Sequence, residues 1–311
     1  MYPAGQPLHE CEIRRIKSVP SAWGGFSDCW EGVFLERHKV AMKSLRHNIT
    51  EDVAQRRIKR EIAVWKGLNH RNILPFIGIH ILDDTTYMVS PWMGKGDSLQ
   101  YVRLNPLVDR LKLLVQIAEG VRYLHRHDPV VIHGDLKGAN IFISDSGEAC
   151  IADFGLSHMT GENTESYSTA WRAAGSVRWQ APELMVERFD EAVRTTASDI
   201  FAFGRVIVEL ITGNIPYYPD VTNDMMIPLK VLGGVLPKRP TDPETITRGL
   251  DDRIWELVED CCRMKPHQRA HICAILHRLR SALKARDAGP PLLVPLLDSS
   301  QSSASPTRGR G

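Results

Sequence analysis

Runs of apolar residues long enough to cross a membrane are missing from this sequence of 311 residues. A membrane-spanning helix needs about 18 uncharged apolar residues, and the most apolar stretch, residues 200–211, contains Arg205 and Glu209. Residues 1–15 also lack the apolar segment of a secretory signal. The sequence therefore predicts no membrane span and a cytoplasmic location, with the nucleus as the alternative.

An excess of charge of one sign is missing too. The sequence has 39 Lys and Arg against 37 Asp and Glu, whereas a dedicated nucleic-acid-binding protein usually carries a concentrated basic charge. The six cysteines show neither CxxC nor another zinc-ligand spacing, which favours reduced thiols. Hydrophobic residues make up 43% of the chain, enough for a packed core and too many for a wholly disordered protein. We expect a globular protein without a nucleic-acid partner.

The hydrophobic pattern changes near residue 94 and predicts two structural parts. Before this point, strand-like runs at 40–43 and 87–89 flank a helical stretch at 51–68. After it, apolar residues recur every three or four positions, which is typical of helices. The first long helix carries the stripe Leu107, Leu111, Leu114, Ala118 and Val121. The later predicted helices lie at 197–212, ended by Gly213, and near 254–261 and 272–283.

These patterns divide the chain into four predicted segments. They are a flexible leader at 1–12, a small strand-rich lobe at 13–93, a larger helical lobe at 94–286 and a disordered tail at 287–311. The tail is rich in Pro, Ser and Gly, a composition that cannot bury enough apolar surface to fold. Its one apolar island, 290–297, leaves docking on the domain or on a partner as the alternative.

Five short segments carry residues suited to chemistry. They are Val40-Ala41-Met42-Lys43, Glu61, His133-Gly134-Asp135-Leu136-Lys137-Gly138-Ala139-Asn140, Asp153-Phe154-Gly155 and Ala181-Pro182-Glu183. Their order and spacing match the signature set of protein kinases, and chance cannot account for all five together. The chain from about residue 13 to 285 therefore resembles the eukaryotic protein kinases. Residues 135–140 and 90–93 are most similar to the tyrosine-kinase-like group, with its fungal branch as a finer hypothesis.

The resemblance implies a fold and an activity. The fold is of the α+β class, protein-kinase-like and bilobal, with a small antiparallel β-sheet lobe that holds one helix and a larger, mainly helical lobe. The implied activity is transfer of the γ-phosphate of ATP to a protein substrate, with Mg²⁺ as the metal. Lys137 and Gly175-Ser176 favour Ser/Thr hydroxyls as acceptors, and tyrosine or dual specificity is the alternative. The oligomeric state is left open.

The resemblance also assigns catalytic roles. Asp135 would accept the proton of the substrate hydroxyl, and Lys137 would contact the γ-phosphate. Lys43 would bind the α- and β-phosphates, held in place by Glu61 on the predicted helix. Asn140 and Asp153 would supply oxygen ligands to Mg²⁺, a hard cation that prefers oxygen.

Adenine and phosphate contacts are implied by the same resemblance. Pro91 would offer its carbonyl and Met93 its N–H to adenine, while the small Ser90 would leave a deep pocket behind the base. The implied nucleotide contacts are Ala22, Gly24, Gly25, Cys29, Ala41, Lys43, Ser90, Pro91, Met93 and Phe142.

Supporting residues are implied as well. Trp65, Phe76, His133 and Phe154 would stack as a column that links the lobes. Glu183 would pair with Arg269 beneath the substrate loop. Asp199, at the start of a helix, would accept backbone hydrogen bonds from the catalytic loop, a role compatible with ordinary helix capping.

Two positions depart from the family pattern. The segment at 22–29 keeps only the middle glycine of the phosphate loop, Gly24, followed by Gly25, and Cys29 replaces the usual valine. This erosion leaves a pseudokinase as the alternative function, and a non-kinase interaction domain is a more remote one. Gly134 stands where many kinases have an arginine that pairs with a phosphate on the activation segment. We therefore predict weak dependence on phosphorylation of Thr160, Thr164, Ser166, Tyr167, Ser168 or Thr169.

Overall fold

The computed structural model describes two lobes, a β-sheet with one helix and a mainly helical part. The described residues are 8–9, 12–17, 19–20, 22–23, 27–45, 51–162, 174–185 and 192–288. The sheet ends at Pro91 and the next helix begins at Ser98, which supports a lobe boundary close to residue 94.

An antiparallel sheet forms the first lobe. Its strands are β1 (Ile13–Arg15), β2 (Ala22–Trp23), β3 (Ser27–Phe34), β4 (His38–Leu45), β5 (Gly78–Leu82) and β6 (Thr85–Pro91). They follow the order β1-β3-β4-β6-β5, and β2 pairs with β3. Because side chains alternate along a strand, Val40 and Met42 of β4 enter the small-lobe core while Ala41 and Lys43 take the opposite face.

Helix α1 (Glu51–Trp65) packs beside this sheet and confirms the predicted helical stretch. It ends three residues before the predicted position 68. The chain tightens there into three-residue turns, in which the N–H of Gly67 donates to the carbonyl of Val64.

Helices dominate the second lobe. They are α2 (Ser98–Leu104), α3 (Arg110–His125), α4 (Thr196–Thr212), α5 (Ile227–Leu232), α6 (Pro243–Thr247), α7 (Asp252–Cys261) and α8 (Ile272–Asp287). Two short strand pairs, β7 (Val131–Ile132) with β10 (His158–Met159) and β8 (Ile141–Ile143) with β9 (Ala149–Ile151), frame the catalytic-loop segment.

Helix α3 corrects one predicted stripe residue. Its N-cap is Asp109, whose side chain accepts a hydrogen bond from the N–H of Lys112. Leu107 therefore lies before the helix and is fully exposed, so its place in the apolar stripe was wrong. The stripe begins at Leu111, which is buried.

Helix α4 runs through the core of the second lobe. Thr195 and Ser198 form a capping box at its start, and Gly213 ends it with a φ of 73°. Arg205 and Glu209, which interrupt its apolar sequence, are both buried. No helix among the described residues combines the length and the apolar character needed to cross a membrane.

The predicted flexible leader requires a correction at Leu8. The N–H of Leu8 donates to the carbonyl of Ile79 at 2.8 Å, and its side chain joins the small-lobe core with Ile13 and Phe34. A single apolar residue thus ties part of the leader to strand β5. Residues 289–311 of the predicted tail lie outside the described residues.

Glu183 and Arg269 form the predicted pair. Nη1 and Nη2 of Arg269 each donate to one carboxylate oxygen of Glu183 at 2.6 Å, a bidentate geometry. Arg269 also donates to the carbonyls of Ala197 and Arg263, and its side chain is almost completely buried. The pair joins the 182–184 turn to the start of α4.

We expect Arg269→Ala to lower the free energy of unfolding by about 3 kcal/mol, because removing one partner of a buried pair leaves the other charge uncompensated. Chemical denaturation is the measurement. Arg263→Ala is the matched control, since its side chain is 55% exposed and pairs with Asp260 at the surface; its cost should stay below about 1 kcal/mol. An unchanged midpoint for Arg269→Ala would contradict the structural role of the pair.

Candidate active site

Lys43 forms ion pairs with two carboxylates between the lobes, and these three residues form a charged triad. Its Nζ lies 2.7 Å from Oε1 of Glu61 on α1 and 2.7 Å from Oδ1 of Asp153, which follows β9. Asp153 adopts a φ of 65°, in the left-handed region that non-glycine residues seldom occupy. Three separate chain segments therefore converge on one ammonium group.

The charges of this triad shift one another's pKa values. Burial would lower the pKa of Lys43, but the two carboxylates outweigh burial and raise it above its usual value. Burial would raise the pKa of Asp153, yet the charge and hydrogen bond of Lys43 lower it to about 2. Burial dominates at Glu61 and raises its pKa, which Lys43 only partly offsets. Lys43 remains an ammonium and Asp153 a carboxylate at neutral pH.

The predicted aromatic column is present. The ring centroids of Phe76 and Trp65 are 5.2 Å apart, those of Trp65 and Phe154 are 6.0 Å apart, and those of Phe154 and His133 are 5.4 Å apart. His133 Nε2 also lies 3.0 Å from the carbonyl of Ala152. The column fixes the backbone on either side of Asp153.

Asp135 is surrounded by donors. Nζ of Lys137 lies 2.8 Å from Oδ2 of Asp135, and the N–H of Ser176 donates to Oδ1 at 3.0 Å. Nδ2 of Asn140 donates to the Asp135 carbonyl at 2.8 Å and to its Oδ2 at 3.1 Å. Nζ of Lys137 also donates to Oγ of Ser176 at 2.7 Å. The predicted base, lysine and asparagine thus share one hydrogen-bond network with the segment at 174–176.

The carboxylate of Asp199 holds the backbone before Asp135. Its two oxygens accept the N–H groups of His133 and Gly134, both at 2.8 Å, and Oδ2 also lies 2.9 Å from Nε2 of His125. Burial opposes ionisation here, but these hydrogen bonds, with that from His125 first, lower the pKa of Asp199. The predicted backbone contact is confirmed, and Asp199 lies within α4 rather than at its N-cap, which is Thr195.

A cavity of about 270 Å³ opens between the lobes at these groups. Its lining includes Lys43, Glu61, Asp135, Lys137, Asp153 and Ser176. All four of the predicted catalytic residues therefore face one space, which both cationic and anionic groups line. Among the described residues, no cluster of three or more His, Cys, Asp or Glu side chains could hold a metal ion.

The predicted adenine contacts lie on neighbouring strands beside this cavity. Ala41 of β4 is directly opposite Ser90 of β6, and Val40 is opposite Pro91. Ser90 is buried, and Met93 packs against the core of the second lobe. These residues are not part of the lining of the described cavity.

The remaining predicted nucleotide contacts lie on both lobes. Cys29 of β3 is paired with Lys43 of β4 on one side and with Ala22 of β2 on the other. Burial raises the pKa of the Cys29 thiol, which favours a small apolar side chain over a reactive thiolate. Phe142 lies on β8, opposite Cys150, and bridges to Asp97. Gly24 and Gly25 lie outside the described residues.

Glu209 is a site residue that sequence reasoning did not identify. Its Oε2 accepts hydrogen bonds from the N–H of Gly138 and from Nε1 of Trp179, both at 2.8 Å. A Cβ on Gly138 would come within 2.7 Å of Oε1, so a side chain at this position would displace the Glu209 carboxylate. The available signal was an acidic residue inside the most apolar helix, which required a buried partner.

Comparison with known sequences agrees with this geometry. The family model for protein tyrosine and serine/threonine kinases matches residues 22–279. The chain therefore belongs to this protein kinase family, whose members use ATP as the phosphate donor.

Curated relatives have the same character. The chain is 27% identical over 288 residues to the serine/threonine-protein kinase STY46 of Arabidopsis thaliana, covering 90% of this chain and 46% of that protein. It is 30% identical over 260 residues to the putative serine/threonine-protein kinase/receptor R831 of Acanthamoeba polyphaga mimivirus, covering 82% of this chain and 14% of that protein. A probable serine/threonine-protein kinase of Dictyostelium discoideum is 26% identical over 281 residues, with 88% and 25% covered. The chain spans less than half the length of each of these relatives.

We expect Glu209→Gln to change how stability depends on pH. Burial raises the pKa of Glu209 from the ordinary 4.5 to about 7, against the opposing hydrogen bonds. The folded protein then retains this proton to higher pH than the unfolded chain. The contribution of Glu209 to the free energy of unfolding is fully present below the pKa of this residue in the unfolded chain. It is lost as pH rises through the pKa of Glu209 in the folded protein, a loss of up to about 3 kcal/mol.

Urea denaturation between about pH 5 and pH 8 measures this effect. Because the Glu209→Gln variant lacks the titrating group, its free energy of unfolding should increase relative to that of the wild type as pH rises. Glu244→Gln, at an exposed position in α6, is the control. Parallel stability curves for the wild type and Glu209→Gln would show that this carboxyl does not titrate in that range.

Proposed function

We propose that this chain is a protein kinase that transfers the γ-phosphate of ATP to serine or threonine hydroxyls of protein substrates. The observation that carries the proposal is the convergence of Lys43, Glu61 and Asp153 in a cavity that Asp135 and Lys137 also line. Phosphoryl transfer depends on positioning and on neutralising the charge of the phosphate oxygens. This arrangement has groups for both tasks.

Asp135 is proposed to orient the substrate hydroxyl and to accept its proton. Lys137 touches the same carboxylate and Ser176, so it lies where a transferring phosphate would meet the hydroxyl. Lys43 would neutralise the α- and β-phosphates, and Glu61 would keep its ammonium directed into the cavity. A positioned base of this kind contributes typically about 10²–10⁴-fold to a rate.

Asn140 and Asp153 fit a magnesium site by the chemistry of their donors. Asp153 is held ionised, and the amide nitrogen of Asn140 is engaged with Asp135, which leaves the amide oxygen as its acceptor. Mg²⁺ favours such oxygen ligands and completes its shell with water and phosphate oxygens. When bound, the ion would neutralise charge on the phosphates.

The adenine site is proposed at Ala41, Ser90, Pro91 and Met93, with Cys29 above the base and Phe142 beneath it. Pro91 lacks an N–H, but its carbonyl can accept from adenine while the N–H of Met93 donates. The positions of Ala22, Gly24 and Gly25 would complete the loop over the phosphates.

Serine or threonine acceptors are favoured by two features. Lys137 and Gly175-Ser176 are the residues by which the sequence resembles kinases of this substrate class, and Nζ of Lys137 donates to Asp135 and to Ser176. The relatives with which the chain was compared are also named as serine/threonine-protein kinases. The particular substrate, and a cytoplasmic or nuclear location, stay predictions.

A pseudokinase is the second candidate because the phosphate loop has lost glycines. Against it, the lysine, both aspartates and the asparagine are present, and each of the four lies within hydrogen-bond distance of another of them. Chemistry depends more on these groups than on a single loop glycine.

We expect Asp135→Asn to reduce transfer of labelled γ-phosphate to a generic protein substrate by at least roughly 100-fold, because the amide cannot accept the proton. Stabilisation by Mg·ATP in a thermal shift assay should persist, since Lys43 and Asp153 are unaltered. Asp252→Asn, at a residue 85% exposed on α7, is the matched control and should behave as the wild type. A wild type that is stabilised by Mg·ATP but transfers no phosphate would replace the kinase proposal with the pseudokinase.

We expect the wild type to use an ATP analogue with a benzyl group on N6, because Ser90 leaves space behind the adenine. Ser90→Phe should fill that space and lower use of the analogue by at least roughly tenfold relative to ATP, as expected when a pocket loses the volume for a group. The ratio of kcat/KM for the two nucleotides is the measurement. If the wild type rejects the analogue, Ser90 does not border the base.

A further inference from the structure

Gly134 lies at a point of the catalytic loop where there is no space for a side chain. A Cβ at this position would come within 2.7 Å of Cδ of Arg194 and within 2.7 Å of the carbonyl oxygen of Leu156. Its φ of 82° is also one that favours glycine. The space beside the loop is therefore filled from elsewhere in the chain.

Arg194 fills this space. It immediately precedes Thr195, the N-cap of α4, and is buried with only 2% of its surface exposed. Its Nε donates to the carbonyl of Gly134 at 3.3 Å, and its Nη2 donates to the carbonyl of Ala174. One guanidinium thus connects the catalytic loop to the segment at 174–176.

The two carbonyls flank the central contact of the site. Gly134 directly precedes Asp135, and Ala174 lies two residues before Ser176, whose N–H donates to Oδ1 of Asp135 at 3.0 Å. Gly175 lies between them with a φ of 128°, and its Cβ position would be 3.8 Å from Nη2 of Arg194. Arg194 therefore closes a ring around the Asp135–Ser176 hydrogen bond.

We propose that Arg194 is a positioning residue that holds the segment at 174–176 against Asp135 without any phosphate on the activation segment. The inference rests on the proposed kinase function and extends it to regulation. A tether between a guanidinium and backbone carbonyls is permanent, because the guanidinium stays charged and the carbonyls neither titrate nor become modified. A tether through phosphate exists only while the modification is present.

The Arg194 tether would explain why kinase activity is predicted to depend only weakly on phosphorylation of the activation segment. Gly134 removes the arginine that would require a phosphate, and the same absence of a side chain admits Arg194. Of the candidate phosphoacceptors at 160–169, only Thr160 lies among the described residues. The two residues, 60 positions apart in sequence, act as one unit.

Kinetics of Arg194 variants test the positioning role. We expect Arg194→Gln to lower kcat by at least roughly tenfold, because a misplaced catalytic group loses its orientation, while the KM for ATP changes little since Lys43 is untouched. Arg194→Lys keeps the charge but not the planar guanidinium that donates from two nitrogens, so its kcat should fall between those of the wild type and Arg194→Gln. Thermal stability is measured alongside.

Arg110→Gln is the matched control. Arg110 is also buried, and its guanidinium donates to the carbonyls of Val102, Leu210 and Ile211, away from the cavity. It should lower the melting temperature while leaving kcat unchanged below that temperature. If Arg194→Gln shows only this pattern, Arg194 is structural and the proposal is overturned.

Phosphatase treatment of the wild type is the second arm, with loss of phosphate verified by mass spectrometry. We expect the treated enzyme to keep its activity. An activity abolished by the phosphatase would overturn the proposal, because the segment would then need a phosphate even with Arg194 in place.

The rate of hydrogen exchange at the amide of Ser176 tests the tether independently of catalysis. Arg194→Gln should accelerate exchange at this amide, and Arg110→Gln should not. Unchanged protection in Arg194→Gln contradicts the tether, whereas a wild type that transfers no phosphate contradicts the proposed kinase function. The two failures are therefore distinguishable.

Discussion

One ammonium group holds the two lobes in register. Lys43 projects from the sheet and meets one carboxylate from α1 and another from the segment after β9, each at 2.7 Å. A buried charge is tolerated only when it is paired, so the sheet, the helix and the Asp153 segment must approach one another. The cavity lies at these groups, and the proposed phosphate binding depends on the charges that line it.

Helix α4 supplies the second constraint, because it holds the catalytic loop by its backbone. Asp199 accepts the N–H groups of His133 and Gly134, and Glu209 accepts that of Gly138. Arg194, just before the helix, adds the carbonyls of Gly134 and Ala174. Buried hydrogen bonds of this kind restrict the backbone that they hold, so the catalytic loop is fixed against the core helix.

Much of this arrangement could be predicted from the sequence. Gly213 marks the end of α4 correctly, and the resemblance to protein kinases implies the Lys43–Glu61 pair that the structure contains. The errors are equally physical. Leu107 has the right spacing for the stripe, but the cap at Asp109 starts the helix after it. Leu8 looked like part of a loose leader because a single apolar residue carries no periodic signal.

Local patterns in the sequence predicted strands at 40–43 and 87–89, the long helices and the end of α4, while the resemblance to protein kinases implied the identity of the reactive groups. These properties depend on neighbours a few positions apart, through alternation, helical periodicity and capping. Only the tertiary structure decided that Glu209 meets Gly138 across 71 positions and that Arg194 meets Gly134 across 60. Each of these contacts joins a side chain to a backbone group, and a backbone group has no residue-specific signature. Tertiary packing alone decides with which backbone group a buried polar side chain forms a hydrogen bond.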